Sequence, residues 1–532
     1  MSDETVLSRS SETGAVAAAD YRAADAGAQI LRRGGNAADA AIATNAVMAV
    51  LAPHLCGMGG DLFALVHVAG APRPTCVFAA GRAGSGVDAA GMRAEGLAQM
   101  PLFDDLRSVT VPAAVDGWLL LHREHGSMPL ADLLEPAAAL AEDGFAVSPL
   151  MAPSAPRMAE RRGGSDFGGI NEAGQTMRRP AVCRALRAIA ERGRDGFYGG
   201  EFGEGLLALG RELDVPLYAE EDLARPLAEL VEPLRVRVAG HDVWSTPAPT
   251  QGYLLLLGLA VAERAAGGLE ALPDPEDPAW AHLLAEAARI AAHDRLDRLH
   301  DGADLATLLA DDDEIARRAD LIGPTARLDI PGPAKDGDTT YLCTVDGAGM
   351  GVSLIQSNAL GYGSLLFEPS TGINLHNRGI GFSLAEGHPA ELRPGARPPH
   401  TLTPALITHQ DGSLRAVTGT MGGDAQPQIM LQLISRMLAG QRADEAMDAP
   451  RFRFGVEGSG FDTWIDPLSV RLELESGHPA TWRPGLEALG HPVAEAPFGG
   501  GFGHAATIEI DELGVRRAAA DPRAVIGGVA SA

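Results

Sequence analysis

A candidate nucleophile lies at Asp338-Thr339-Thr340, where a loop-like segment gives way to a strand-like one. Threonine attacks a carbonyl only if a base accepts its proton. A threonine at a chain terminus carries that base itself, because its α-amine titrates at about pH 8. Such a residue must begin a strand, which holds the new terminus rigid, and must follow a segment that can leave. We interpret the Asp338-Thr339 bond as a self-cleavage site and Thr339 as the nucleophile, although most Asp-Thr pairs are simply turns.

The sequence around Thr339 changes character at this point. Residues 323–338 are rich in proline, glycine and charge and lack periodicity, which predicts an exposed loop that can be cut. Residues 340–345 and 351–356 are apolar or alternating around a turn, which predicts a hairpin. Further strands are predicted at residues 405–408, 416–419 and 506–510.

The part before the loop favours helices. Residues 21–50 carry small apolar side chains at helical spacing, broken once at Gly34-Gly35-Asn36, where the glycines end one helix and Asn36 caps the next. Short strands are predicted at residues 63–68 and 75–80. A helical region then extends to about residue 320, with a candidate strand at residues 231–238.

Composition restricts the possible partners. With 43 basic and 70 acidic residues the net charge is −27, which argues against nucleic acid or an anionic membrane. The four cysteines lie far apart without a CxxC pair, which argues against a zinc site and a disulfide framework. No apolar run approaches the roughly 20 residues of a membrane span, and no secretory signal is visible. We therefore expect a cytoplasmic protein.

Ordered motifs across the chain carry a resemblance to a known family. The front part holds GGNAADAA at 34–41, PHLCGMGG at 53–60 and VPAAVDGW at 111–118. The back part holds DTTYLCTVD at 338–346, PSTGINLHN at 369–377, MGG at 421–423 and APRF at 449–452. In this order they resemble the signatures of the γ-glutamyltranspeptidase family, over nearly the whole chain.

The resemblance implies an N-terminal-nucleophile hydrolase. Its fold would be α+β, a four-layer αββα sandwich formed by both products of one self-cleaved precursor. The helix-rich large subunit would be residues 1–338 and the strand-rich small subunit residues 339–532, together forming one structural unit. These subunits would form a heterodimer, with an (αβ)₂ particle as a further assembly to consider. The resemblance implies a small-molecule amide substrate and neither a metal nor another cofactor.

Site residues follow from the resemblance position by position. Thr339 would be the nucleophile, and Ser357 replaces a family threonine that hydrogen-bonds near the nucleophile's amine. Gly422 and Gly423 match the pair whose N–H groups stabilise the oxyanion, a role that glycine suits because no side chain blocks the donors. Arg82 matches the arginine that holds the substrate's carboxylate, which a guanidinium binds in two-pronged fashion.

Departures from the family bear on the substrate. The positions that hold the α-amino group of glutamate are Ala359 and Gly381, whose side chains cannot accept a hydrogen bond. Arg378 adds a positive charge to the same segment, and His400 and Thr401 replace paired serines. This pattern suggests a substrate with a carboxylate but no neighbouring ammonium. Residues 377–383 and 421–428 resemble the oxamate amidohydrolase branch, so oxamate-like amides and γ-glutamyl compounds both remain open.

Two rival interpretations belong to other classes. A metal hydrolase is suggested by His293, Asp297, His300 and Asp301, which share roughly one face if their segment is one helix. We favour a solvated helix face laced with Arg–Asp pairs. The other rival is an uncleaved, catalytically inactive scaffold that retains the fold. Retention of Thr339, Ser357 and the glycine pair argues against it.

Overall fold

The computed structural model describes residues 5–330, 338–455 and 470–532. Two large antiparallel sheets run through the middle of the molecule. The strands are β1 (Ser8–Ser11), β2 (Gly14–Ala18), β3 (Asp61–His67), β4 (Thr75–Ala79), β5 (Phe145–Ala146), β6 (Thr176–Met177), β7 (Ala228–Val231), β8 (Leu234–Val238), β9 (His241–Ser245), β10 (Asp338–Asp346), β11 (Gly351–Ala359), β12 (Phe367–Glu368), β13 (Ile373–Asn374), β14 (Ala405–Thr408), β15 (Leu414–Thr420), β16 (Phe452–Gly455), β17 (Arg471–Glu475), β18 (Val493–Ala496), β19 (Ala505–Ile510), β20 (Arg516–Ala520) and β21 (Gly528–Ser531).

Helices cover the outer faces of these sheets. The α-helices are α1 (Tyr21–Arg32), α2 (Ala37–Leu51), α3 (Ala89–Ala94), α4 (Ala114–His125), α5 (Leu130–Asp143), α6 (Ala155–Ala159), α7 (Pro180–Arg192), α8 (Arg194–Phe197), α9 (Glu201–Glu212), α10 (Glu220–Ala224), α11 (Gly252–Ala266), α12 (Pro278–Ala292), α13 (Arg295–Arg298), α14 (Leu305–Ala310), α15 (Asp312–Ala319), α16 (Gln426–Leu438), α17 (Ala443–Asp448) and α18 (Trp482–Ala488). None of the described helices combines the length and apolarity that crossing a bilayer requires.

Each large sheet has seven strands. Sheet A has the order β1-β20-β19-β15-β14-β9-β8, and sheet B has the order β21-β2-β10-β11-β3-β4-β7. All neighbouring pairs in both sheets are antiparallel. Each sheet therefore combines strands from before and after Thr339. The division into two subunits at that residue stays a prediction.

Three apolar layers hold the sandwich together. Successive side chains of a strand point to opposite faces of its sheet, so each sheet can contribute to a core on both of its sides. On sheet B, Leu342 and Leu354 face a core shared with helices α1, α2, α4 and α5. Their neighbours Tyr341 and Ile355 face the core between the two sheets. Sheet A packs its other face on α11 and α16, in a core to which α12 also contributes. This arrangement confirms the predicted four-layer αββα sandwich.

Most predicted elements are present, with informative differences. Asn36 accepts the N–H of Asp39 and caps α2, as expected from the break before it. The hairpin around residue 348 is β10 and β11. The strand predicted at residues 231–238 is interrupted between β7 and β8, which belong to different sheets, and β9 was missed. Of the predicted loop at 323–338, residues 331–337 lie outside the described residues.

Several buried histidines should make stability depend on pH. His400, His491 and His504 lie inside the molecule, and burial is the largest cause that lowers their pKa values, to about 3, about 3 and about 4. An unfolded histidine titrates at about pH 6.5, so below that pH the unfolded chain binds more protons than the folded one. The free energy of unfolding should therefore decrease as the pH is lowered, by up to about 1.4 kcal/mol per pH unit for each histidine.

We expect the urea midpoint at about pH 5 to lie well below the midpoint at about pH 7. His491 tests the cause, because its partner is another histidine, with His491 Nε2 2.8 Å from His282 Nδ1. In His491→Gln the midpoint should depend less steeply on pH between those two values. An unchanged pH dependence would mean that this ring is not a source of the acid sensitivity.

Candidate active site

Thr339 and Ser357 meet where two neighbouring strands of sheet B end. Asp338 pairs with Ala359 at the start of β10, and a bulge between Asp338 and Thr340 shifts the register there. Thr339 is 1% exposed, and its Oγ1 donates a hydrogen bond of 3.1 Å to Ser357 Oγ. The rigid strand start that a terminal nucleophile needs is therefore provided by the β10–β11 pair.

The Ser357 hydroxyl is fixed by two donors, one at the end of its own strand β11 and one in a later turn. Its Oγ accepts the N–H of Ala359 at 2.9 Å and Nη2 of Arg378 at 3.2 Å. A hydroxyl oxygen that accepts from a guanidinium and a backbone amide has little freedom to move. Ser357 thus links the Thr339 hydroxyl to a positive charge.

Arg378 places that charge inside the molecule beside the nucleophile. Its side chain is fully buried, and its Nη1 donates to Thr401 Oγ1 at 3.0 Å. It opens a 3-10 turn, Arg378–Gly381, which is docked on β11 through the hydrogen bond from Asn377 N–H to Asn358 O, 3.1 Å. The guanidinium thereby connects Ser357 with Thr401, two residues that sequence comparison placed at the site separately.

The glycine pair lies in the turn between β15 and α16. Gly422 has φ 136° and Gly423 has φ 53°, a region that side chains disfavour. No hydrogen bond within the described part of the chain uses either N–H as its donor. A short 3-10 turn, Gly423–Ala425, leads from this pair into α16, whose N-terminal dipole favours negative charge. The turn therefore offers unengaged N–H groups where an oxyanion could be stabilised.

Gln251 connects the segment of Thr401 with the glycine turn. The sequence did not indicate this residue as part of the site. Its Nε2 donates to Thr401 O and to Gly423 O, both at 2.9 Å, and the side chain is fully buried. It therefore ties the Arg378–Thr401 side to the glycine turn. A glutamine just before an apolar helix gives no sequence signal of this role, because its partners lie 150 and 172 residues away.

The segment that was considered as a metal-binding face, and favoured as a solvated helix face, is not a single helix. Helix α12 ends at Ala292 and α13 begins at Arg295, so the premise that placed His293 and His300 on one face is wrong. No cluster of three or more metal-ligating side chains occurs in residues 5–330, 338–455 and 470–532. Arg295 instead pairs with Asp424 at 3.1 Å, both buried, next to the glycine turn. Sequence reasoning missed that pair as well.

His400 lies behind the site in a polar cluster centred on Asp61. His400 Nε2 is 3.0 Å from Asp61 Oδ2, and Asp61 Oδ1 accepts the N–H of Gly81 at 2.9 Å. Burial and then the charge of Arg378 lower the pKa of His400 to about 3, so its ring is neutral near neutral pH. Burial acts to raise the pKa of Asp61, but His376, His400 and Arg378 together lower it. Asp61 is therefore a buried anion that partly balances Arg378.

Arg82 stands apart from the residues around Thr339. Its Nη1 donates to Gly395 O at 2.9 Å and lies 4.0 Å from Asp301 Oδ2. Burial, followed by the charges of Arg397 and Arg225, lowers its pKa. No hydrogen bond or ion pair among the described residues joins it to Thr339 or Arg378. Its carboxylate-binding role stays a prediction.

Backbone geometry explains one of the two departures from the family pattern, the one at Gly381. Ala359 has φ 74°, a conformation in which asparagine is favoured over alanine. A β-carbon on Gly381 would lie 2.5 Å from Pro399 O, so no side chain fits there without movement of the backbone. An acidic group at 381 is therefore sterically excluded, whereas an amide at 359 is compatible with the fold.

Comparisons with known proteins agree with the sequence motifs. The family model for γ-glutamyltranspeptidase matches residues 23–531. The chain is 33% identical to the oxamate amidohydrolase proenzyme of Klebsiella pneumoniae, covering 96% of this chain and 97% of that protein. It is 32% identical to the glutathione hydrolase-like YwrD proenzyme of Bacillus subtilis, covering 94% and 95%. Cephalosporin acylase from Bacillus halodurans matches with a TM-score of 0.88 and 30% identity, covering 99% and 97%. The predicted family resemblance is confirmed.

Proposed function

The chain belongs to the γ-glutamyltranspeptidase family and is an enzyme of the N-terminal-nucleophile hydrolase type, and from that premise we propose that it hydrolyses a small amide bearing a carboxylate on its acyl half. In this proposal the chain cleaves itself before Thr339. Residues 1–338 become the large subunit and residues 339–532 the small one, and the two remain together as a heterodimer. Both named relatives are proenzymes, which supports self-processing here.

The observation that carries the proposal is the buried guanidinium of Arg378. It is fully buried and shares the Ser357 hydroxyl with Thr339, at 3.2 Å and 3.1 Å. A buried cation attracts an anionic group and repels an ammonium. The positions that would hold an ammonium are Ala359 and Gly381, which offer no side-chain acceptor. The substrate that fits has a carboxylate and no adjacent amine.

The residues around Thr339 support a two-step mechanism. Thr339 Oγ attacks the amide carbonyl while the α-amine freed by the cut accepts the hydroxyl proton. The N–H groups of Gly422 and Gly423 stabilise the oxyanion. The C–N bond then breaks, the amine half leaves with the proton, and an acyl-threonine ester remains. Water adds to the ester carbonyl, and breaking the C–Oγ bond releases the acid and restores Thr339.

Arg378 has a second role in this mechanism, through the α-amine of Thr339. A free α-amine has a pKa of about 8, and a nearby positive charge lowers it because the protonated form is disfavoured. The amine is then largely unprotonated at neutral pH and ready to act as base. One guanidinium thus both binds the substrate anion and activates the nucleophile.

Within this class the acyl group is the open question. The relatives matched are named for oxamate, glutathione and cephalosporin, and those names describe the relatives alone. We favour an oxamate-like amide over a γ-glutamyl compound because the γ-glutamyl group brings the ammonium that Arg378 opposes. Arg82 remains the family-based candidate for a second carboxylate contact. An (αβ)₂ particle and transfer to an acceptor amine are further proposals that rest on the family pattern, and a cytoplasmic location is one that rests on the four dispersed cysteines.

The test of this function is a substrate panel on one purified preparation. We expect hydrolysis of oxamate and of a glutaryl amide to exceed that of glutathione and γ-glutamyl anilide at equal concentration. A denaturing gel of the same preparation should show two bands. One uncut band together with inactivity on all four compounds would favour the inactive scaffold instead.

A further inference from the structure

A cavity of about 590 Å³ opens directly beside the glycine turn. Met421 and Gly422 form one side of it, and Leu360 and Tyr362 from the segment after β11 form another. Gly422 is a proposed oxyanion donor, and Leu360 lies three residues after Ser357. The cavity therefore begins at the point where the carbonyl of a bound amide would lie.

Part of the lining is apolar and can hold a ring, and polar side chains border this part: Ser154, Arg157 and Arg453. Phe103, Leu150, Met158 and Leu365 contribute apolar side chains to it. Phe103 is 42% exposed and Leu150 is 36% exposed, and both belong to the small set of large apolar side chains that the described part of the fold leaves open to solvent. A ring bound between them would remove apolar surface from water on both partners, which is favourable.

His54 contributes to the same cavity a polar ring whose hydrogen-bonding groups lack partners among the described residues. Both of its ring nitrogens are shielded from solvent and have no hydrogen-bond partner among the described residues. Its ring lies 6.1 Å from that of Tyr362, measured between centroids. Burial, and then the charge of His504, lower its pKa to about 3, so the ring is neutral and can donate one hydrogen bond and accept another. Buried polar atoms without partners are uncommon, so the ring points to a ligand with a complementary polar group.

The cavity and the buried guanidinium serve different halves of an amide. Arg378 and Thr401 are absent from the cavity lining, whereas Gly422 belongs to it. A substrate with its carboxylate on Arg378 and its carbonyl oxygen on the glycine turn would direct its amine half into the cavity. We infer that the enzyme prefers secondary amides, whose amine carries an apolar ring, over primary amides such as oxamate itself. The inference rests on the proposed function and specifies its leaving group.

The reaction on such a substrate keeps the same balance of bonds. Thr339 Oγ forms a bond to the acyl carbon, the C–N bond breaks, and the ring-bearing amine takes the threonine proton and leaves through the cavity. Water then releases the acid. A primary amide would release ammonia and leave the cavity unused, so it would gain nothing from Phe103 or Leu150.

The experiment compares oxamate with N-benzyloxamate on the processed enzyme. Benzylamine and ammonia are bases of similar strength, so a difference in rate reports the cavity and not the leaving group's reactivity. Burying the ring predicts a kcat/KM about 10- to 100-fold higher for N-benzyloxamate. In the double variant Phe103→Ser, Leu150→Ser this advantage should shrink at least about fivefold, with kcat/KM for oxamate unchanged. Leu513→Ser, at a side chain 89% exposed outside the cavity lining, is the matched control.

The possible outcomes distinguish a failure of the cavity assignment from a failure of the proposed amide hydrolysis. Equal kcat/KM for both amides, or a double variant that slows both equally, overturns the cavity assignment while the amide hydrolysis stands. Hydrolysis of neither amide, nor of the glutaryl amide, overturns the proposed function and the cavity assignment with it. A selective loss on N-benzyloxamate supports both.

Discussion

Thr339→Ala is expected to leave the chain in one piece and to abolish amide hydrolysis. The hydroxyl that would attack both the Asp338 carbonyl and the substrate is gone, and without the cut no α-amine exists to act as base. Loss of a nucleophile of this kind lowers kcat by about 10⁴-fold or more. Denaturing electrophoresis and hydrolysis of the best substrate in the panel, measured on the same sample, check both effects.

Two further variants test whether the effect of Thr339→Ala comes from the lost hydroxyl or from a disturbed fold. Thr339→Ser keeps a hydroxyl and should still be cut, with slower turnover. Thr340→Val removes the adjacent hydroxyl, which is buried and has no hydrogen-bond partner among the described residues, and should leave cleavage and rate nearly unchanged. If Thr339→Ala were cut at the same bond, or Thr340→Val lost activity as completely, Thr339 would not be the nucleophile.

Arg378→Gln is expected to cause the second largest loss of activity, and the loss should be greatest for anionic substrates. Removing a buried, charge-assisted contact to a carboxylate should lower kcat/KM for oxamate-type amides by about 100-fold. The pKa seen on the acid limb of the kcat/KM profile should rise, because the Thr339 amine loses the positive charge that disfavours its protonation. Steady-state kinetics between about pH 5 and 9 measure both quantities.

The matched comparison for Arg378 is Arg82→Gln. Arg82 has no hydrogen bond or ion pair to Thr339 or Arg378 among the described residues, so its loss can raise KM for a carboxylate substrate but should leave the acid limb in place. Arg378→Lys retains charge and should keep most of the pKa effect while losing the two-pronged contact. A profile that does not move in Arg378→Gln would remove the guanidinium from the activation of the amine.

The family resemblance predicted the layers of the fold, and the structure brings some of the residues that it named, but not Arg82, close to Thr339. Motif order placed Thr339 and Ser357 at the site, and the structure brings them to 3.1 Å because β10 and β11 are adjacent strands of one hairpin. Local sequence patterns predicted features that depend on neighbouring residues alone, such as the Asn36 cap of α2. The resemblance added Arg378 and Thr401, which lie 3.0 Å apart at their side-chain atoms.

Other features could not be predicted because they depend on contacts between distant segments. Gln251 bridges Thr401 and Gly423, and Arg295 pairs with Asp424, across 129 residues or more. Nothing in the local sequence distinguishes either residue from an ordinary surface polar group. The exclusion of a side chain at Gly381 likewise depends on how closely the Pro399 carbonyl approaches, which only the packed structure specifies.

Intact mass spectrometry of catalytically active protein tests the central claim most directly. A self-made chain end at Thr339 predicts two polypeptides, the smaller beginning with Thr339, in a preparation whose activity rises as the uncut species disappears. Full activity in a sample that is one continuous polypeptide across residues 338 and 339 would contradict it.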